Sequence, residues 1–150
     1  DDDGNDYWEY DIRELGYKYH GNSVAAALAL VGLKYLDQDN VRRRELAALY
    51  REHLSALPGV TFVEHEEESA RHLCQILVDN RNQLIAALKR DGISTGVHYK
   101  DNRRYAPFAG YRYDVEGYQD YTDKILSLPM HLELLDEDIS RIAEAIKINL

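Results

Sequence analysis

Two stretches of the chain carry side chains suited to holding an anion. The first is Gly16-Tyr17-Lys18-Tyr19-His20-Gly21-Asn22-Ser23, which sets Lys18 and His20 among aromatic residues. Lysine brings a permanent charge with three donors, and histidine brings one that depends on pH. This pair is expected to reach a ligand phosphate held by a partner chain. The second stretch opens at His98-Tyr99 and runs on through Lys100-Asp101-Asn102-Arg103-Arg104-Tyr105-Ala106-Pro107-Phe108-Ala109-Gly110-Tyr111-Arg112-Tyr113. It is basic, rich in tyrosine and without an apolar period, and loops of that length in a small domain are usually functional or mobile. Guanidinium groups such as Arg103 and Arg104 suit a phosphate, while tyrosines stack on a base or sugar. A plain surface loop anchored by Pro107-Phe108 fits the same residues.

The remaining candidates are weaker. Arg42-Arg43-Arg44, followed by Glu45, reads as the solvated face of a helix rather than a phosphate site. His65 and His72 flank a charged run, but their neighbours lack the spacing of metal ligands. Cys74 is the single cysteine and lies in an apolar run, so a buried packing thiol is the expectation; it excludes an intrachain disulfide and suits a reducing compartment. No Ser-His-Asp arrangement and no glycine-rich phosphate loop stand out. The formal charge of −9, with basic residues dispersed along the chain, argues against a nucleic-acid partner. No stretch is apolar for the length of a membrane span, and a cytoplasmic location is expected. The aspartate-rich opening without an initiator methionine suggests a fragment or processed product.

These side chains need elements to position them, and 150 residues make one ordinary domain. Residues 7–15 alternate aromatic and charged positions, which predicts a strand with one buried face. From Asn22 or Ser23, which can cap a first turn, the period becomes helical. Val24, Ala27, Leu28, Val31 and Tyr35 share one face, and the small residues Ala25-Ala26-Ala27, Ala29 and Gly32 let a second backbone approach closely. The helical stretch bends or restarts at Asp37-Gln38-Asp39-Asn40 and stops at Pro58-Gly59. Strands are predicted at 60–63, 72–78 and 93–99, with a helix from Asp79-Asn80 to Asp91-Gly92, where glycine suits a left-handed terminus. A helix over 118–126, an extended link at 127–131 and a last helix opened by Asp136-Glu137-Asp138 complete the chain. The expected fold is α+β: a three-stranded, mainly antiparallel sheet with helices on one face and a long N-terminal helical stretch.

Four pieces occur in an order that resembles a known family. They are Gly16-Tyr17-Lys18-Tyr19-His20 with its alanine helix, Gly92-Ile93-Ser94-Thr95-Gly96-Val97-His98-Tyr99, Ser127-Leu128-Pro129-Met130-His131, and Asp136-Glu137-Asp138. Together they look like the C-terminal part of the DegT/StrS-type nucleotide-sugar aminotransferases. The resemblance implies the small domain of a type I aminotransferase fold, dependence on pyridoxal phosphate (PLP) and an active site built at a homodimer interface. It also implies a keto sugar carried on a nucleoside diphosphate as substrate, with glutamate as donor. Residues 1–21 then become an interface segment left from a missing large domain, and 22–150 the small domain with its linking helix.

Carried over residue by residue, Lys18 and His20 occupy the asparagine and arginine of the family's Gly-Tyr-Asn-Tyr-Arg, which approach the PLP of the neighbouring subunit. His98 and Tyr99 match the family's His-Tyr pair, beginning a loop near the sugar nucleotide. The family's following Pro-Leu-His is replaced by Lys100-Asp101-Asn102, so substrate preference does not transfer. The family's Schiff-base lysine has no counterpart among Lys18, Lys34, Lys89, Lys100, Lys124 and Lys147, so the chain alone is expected to be inactive. Two other readings compete. Relatives that carry histidine at the lysine position are sugar dehydratases, and a standalone module that binds nucleotide sugars or a partner protein would need no cofactor.

Overall fold

In the computed structural model the described residues are 11–17, 21–111 and 117–150, with the side chain of Gln119 excepted. Helix α1 spans Ser23–Gly32, and its first turn is closed by Asn22, whose Oδ1 accepts from the Ala25 N–H at 2.8 Å. A tight turn then carries the chain into α2, Leu36–Leu54, with Lys34 and Tyr35 donating three residues back, to Val31 and Gly32. The break falls before Asp37-Gln38-Asp39-Asn40, not within it. Asp37 and Asp39 occupy the first turn of α2, where carboxylates meet the positive end of the helix dipole, so the polar cluster starts a helix instead of interrupting one. Glycine closes the local turns as expected, Gly59 at φ 87° and Gly92 at φ 73°.

Strands β1 (Thr61–Phe62), β2 (Cys74–Leu77) and β3 (Ile125–Leu128) form an antiparallel sheet in that order, with Phe62 opposite Ile76 and Ile76 opposite Leu126. The expected sheet is present, but its third strand is not the segment 93–99. That segment contributes a single bridge, Gly96 to Ser127, with reciprocal N–H···O bonds of 3.0 and 2.7 Å. Helix α4 is correspondingly short, Tyr118–Lys124, and Ile125-Leu126-Ser127-Leu128 extends into the sheet. A four-residue, mostly apolar run has no period that separates a buried strand from a helix end, which is why it read as helix followed by link. The strand expected over 7–15 is absent from residues 11–15; its first part lies outside the described residues.

Helix α3, Arg81–Arg90, and helix α5, Asp136–Asn149, complete the fold. Leu46, Tyr50 and Leu54 of α2, Leu84 and Leu88 of α3, and Ile139, Ile142 and Ile146 of α5 join Ile76, Leu126 and Leu128 in one core. The α5 residues sit at the i, i+3, i+7 positions that the sequence marks as inward. Cys74 is buried in the same core, and burial pushes its thiol up to about 12, so it is a packing residue and not a nucleophile. The Tyr50 hydroxyl donates to the Pro129 carbonyl at 3.0 Å. Arg42 leaves the solvated face to join α2 to α5, donating to the Leu134 carbonyl at 2.9 Å and to Asp136 at 2.8 Å.

Helix α1 stands apart from this core. All ten of its residues are exposed, including Val24, Leu28, Leu30 and Val31. A helix apolar on every side is normally surrounded by protein. Among the described residues, no described helix is long and apolar enough to cross a membrane.

Candidate functional site

The histidine of the second anion-binding stretch is held from below by the sheet. Gly96 bridges Ser127 of β3, and His98, two residues on, projects from the same side of this extended segment. Its ring folds back over the glycine, so that a Cβ at position 96 would lie 2.7 Å from His98 Cε1. From there Nδ1 reaches the Ser127 hydroxyl at 2.9 Å, while Gln75 Nε2 of β2 donates to the His98 carbonyl at 2.8 Å. Burial holds the imidazole below its ordinary pKa, so it is neutral at neutral pH. The Tyr99 ring stands edge-on to the His98 ring, with centroids 5.1 Å apart, and is 65% exposed.

Beyond Tyr99 the loop is braced by its own charges. Asp101 is only 3% exposed. Its Oδ1 accepts from the Arg103 N–H at 2.9 Å, capping a 3-10 turn over Asn102–Arg104, and its Oδ2 receives the Arg103 Nη2 at 2.7 Å. The same guanidinium lies over the Tyr118 ring of α4 at 5.0 Å. Arg104 pairs with Asp123 of α4 at 2.6 Å. Tyr105 is buried, with the Lys100 ammonium 5.2 Å from its ring centroid. The loop is therefore anchored by Tyr105 more than by the half-buried Pro107 and Phe108, and Tyr105 is not placed to stack on a ligand; among the described residues of the loop, Tyr99 and Tyr111 are the exposed rings.

The Arg103 guanidinium holds the Asp101 carboxyl below the usual carboxylate range. A depressed pKa contributes stability that is complete above the unfolded value, about 3.9, and fades as pH falls through the folded one. Amide signals of residues 101–108 should accordingly stay fixed down to roughly pH 4 and shift only below it, and Asp101→Asn should abolish that acid transition in an NMR titration.

The four expected substrate-side residues thus divide into two groups. His98 and Tyr99 lie together above Ser127. Arg103 is engaged with Asp101, and Arg104 lines a polar cleft of about 370 Å³ with Asp79, Arg81, Asn82, Gln83 and Asp123. Lys18 and His20 lie outside the described residues. Gln75 was not singled out from the sequence, and Ser127 entered only as part of Ser127-Leu128-Pro129-Met130-His131, although each is the one polar residue of a buried strand, which is a readable signal.

The profile of the DegT/DnrJ/EryC1/StrS aminotransferase family matches residues 2–147. The chain belongs to this family. It is 32% identical to the spore coat polysaccharide biosynthesis protein SpsC of Bacillus subtilis over 95% of its own length and 40% of SpsC. The sugar aminotransferase Spr1654 of Streptococcus pneumoniae, solved in its PMP form, superposes with a TM-score of 0.74 at 29% identity, covering 94% of this chain and 38% of that one. DesI, solved in the presence of its TDP-sugar product, gives 0.75 at 26% identity over 83% of this chain and 34% of DesI. The chain therefore spans about two fifths of the length of these relatives.

DegT aminotransferases are PLP-dependent, and the cofactor needs a lysine that can lose its proton in a desolvated setting. None of the lysines at 34, 89, 100 and 147 is buried by this chain's own described residues. Lys34, Lys89 and Lys147 are exposed, Lys100 lies over Tyr105, and Lys124 is paired with Asp79 at 2.8 Å, which raises its pKa.

Proposed function

We propose that this chain is the C-terminal small-domain part of a PLP-dependent aminotransferase that aminates a keto sugar carried on a nucleoside diphosphate, with glutamate as donor. The observation that carries the reading is the family match over nearly the whole chain. The nucleotide sugar is supported by DesI and its TDP-sugar product. In this reading residues 22–150 form the small domain and 1–21 an interface segment whose Lys18 and His20 approach a partner's cofactor. His98 and Tyr99 face the sugar nucleotide, and Arg103 and Arg104 shape the loop that follows. PLP supplies the electron sink that lets an amino group pass between carbon skeletons, and its covalent anchor is a lysine outside this chain.

The test uses the chain itself with PLP, followed by borohydride reduction and peptide mapping. Scattered, substoichiometric labelling of surface lysines is expected. A stoichiometric adduct at one lysine, with transaminase turnover, would overturn the assignment.

Homodimerisation belongs to the same proposal and is supported by the wholly exposed, small-residue helix α1. Ala26→Trp should leave the melting of the isolated chain within about 0.5 kcal/mol of the parent, since α1 has no buried residue among the described residues, yet weaken self-association in sedimentation experiments. Unchanged association would remove α1 from the interface.

A further inference from the structure

Gln75 and Ser127 are directly opposite each other in the β2–β3 register. Both main-chain groups of Ser127 go to Gly96, so the two residues form a pair without hydrogen bonds between their backbones, the kind whose side chains approach most closely. Both residues are buried, and each gives a polar atom to one residue, His98: Ser127 its hydroxyl to the ring at Nδ1, Gln75 its Nε2 to the carbonyl. Gly96 supplies the space the ring occupies. Holding buried polar groups in two neighbouring strands costs stability unless each finds a partner, and here both partners lie on the same residue. Ring nitrogen Nε2 is left without a hydrogen bond among the described residues, beside the exposed Tyr99.

We propose that Gln75 and Ser127 are positioning residues that lock His98 in its Nε2–H tautomer and offer that N–H to an oxygen of the nucleoside diphosphate sugar. The ligand half of this proposal rests on the aminotransferase reading above. With the Ser127 hydroxyl as donor to Nδ1 the ring proton is left on Nε2, and Gly96 leaves the room the ring occupies. Gln75 prevents the His98 backbone from turning away. None of the three touches the ligand.

Long-range proton–nitrogen NMR of the ¹⁵N-labelled chain reads the tautomer directly, and thermal melting monitored by circular dichroism controls for folding. The parent should show a protonated Nε2 and an unprotonated Nδ1 on His98 above its titration range. Ser127→Ala should give a mixture of tautomers while still melting in one cooperative transition, and Gly96→Ala should shift the ring signals by displacing the ring. A His98 that stays wholly Nε2–H in Ser127→Ala, or is Nδ1–H in the parent, overturns the socket. Titration of the complete aminotransferase carrying this chain with UDP then tests the ligand half: the Nε2–H signal should move saturably, with affinity weakened by Ser127→Ala in proportion to the Nε2–H fraction lost, about twofold for an even mixture. A tautomer that depends on Ser127 while UDP moves no His98 signal would overturn the nucleotide reading and leave the socket standing.

Discussion

Ile76→Ala should destabilise the chain by about 2–5 kcal/mol in urea denaturation, the range for truncating a fully buried branched side chain. Ile76 has no exposed surface and sits in the central strand, with Phe62 opposite it on one side and Leu126 on the other. It also belongs to the cluster that receives Leu46 and Tyr50 from α2 and Ile139 and Ile142 from α5, so the cavity would open where sheet and helices meet. A rigid sheet gives the neighbours little room to collapse into that space, which places the expected cost in the upper part of the range. For a domain whose total stability is about 5–15 kcal/mol, such a loss leaves a measurable unfolded population at 37 °C. A change below about 1 kcal/mol would mean that the sheet is not the centre of the core.

Arg81→Met should cost about 1–3 kcal/mol for a different reason. Arg81 is a buried cation at the start of α3, and its Nη1 donates to the Thr122 carbonyl at 3.0 Å and toward the Ile125 carbonyl at 3.5 Å. Methionine fills most of the volume but leaves acceptors at the α4–β3 junction without that donor. The defect lies two residues from Ser127, so hydrogen exchange should accelerate first in Ile125–Leu128 and only then in α5. Uniform acceleration through the chain would show that Arg81 supports the whole fold and not this junction.

The two predictions also mark where the sequence was legible. Helix α5 could be read residue by residue, because its inward positions repeat with the helical period and acidic residues fill its first turn. The Asn22 cap, the burial of Cys74 and the left-handed Gly92 were legible for equally local reasons. Strand β3 was not. Its residues are buried on both faces, so no alternation marks it, and its assignment depends on a partner strand some fifty positions away. The Gly96–Ser127 bridge is hidden for the same reason: register between distant segments is set by packing and leaves no periodic trace. At the candidate site, His98 and Tyr99 were proposed through resemblance, and the structure shows Gln75 and Ser127 bonded to His98. The charge pattern of the loop left two readings open. Arginines and tyrosines that suit a ligand also suit each other, and Arg103 with Asp101, Tyr118 and the buried Tyr105 shows that part of this chemistry is turned inward.

The proposed placement of His98 is toward the sugar nucleotide and not the cofactor. Its most direct test is the His98→Ala variant of the complete aminotransferase carrying this chain, with the two half-reactions measured separately. The half-reaction with glutamate should be unchanged, while KM for the nucleotide-linked keto sugar should rise about tenfold or more, the loss of a contact made only with that substrate. Equal loss in both half-reactions, or no loss in either, would contradict the placement of His98 on the sugar-nucleotide side.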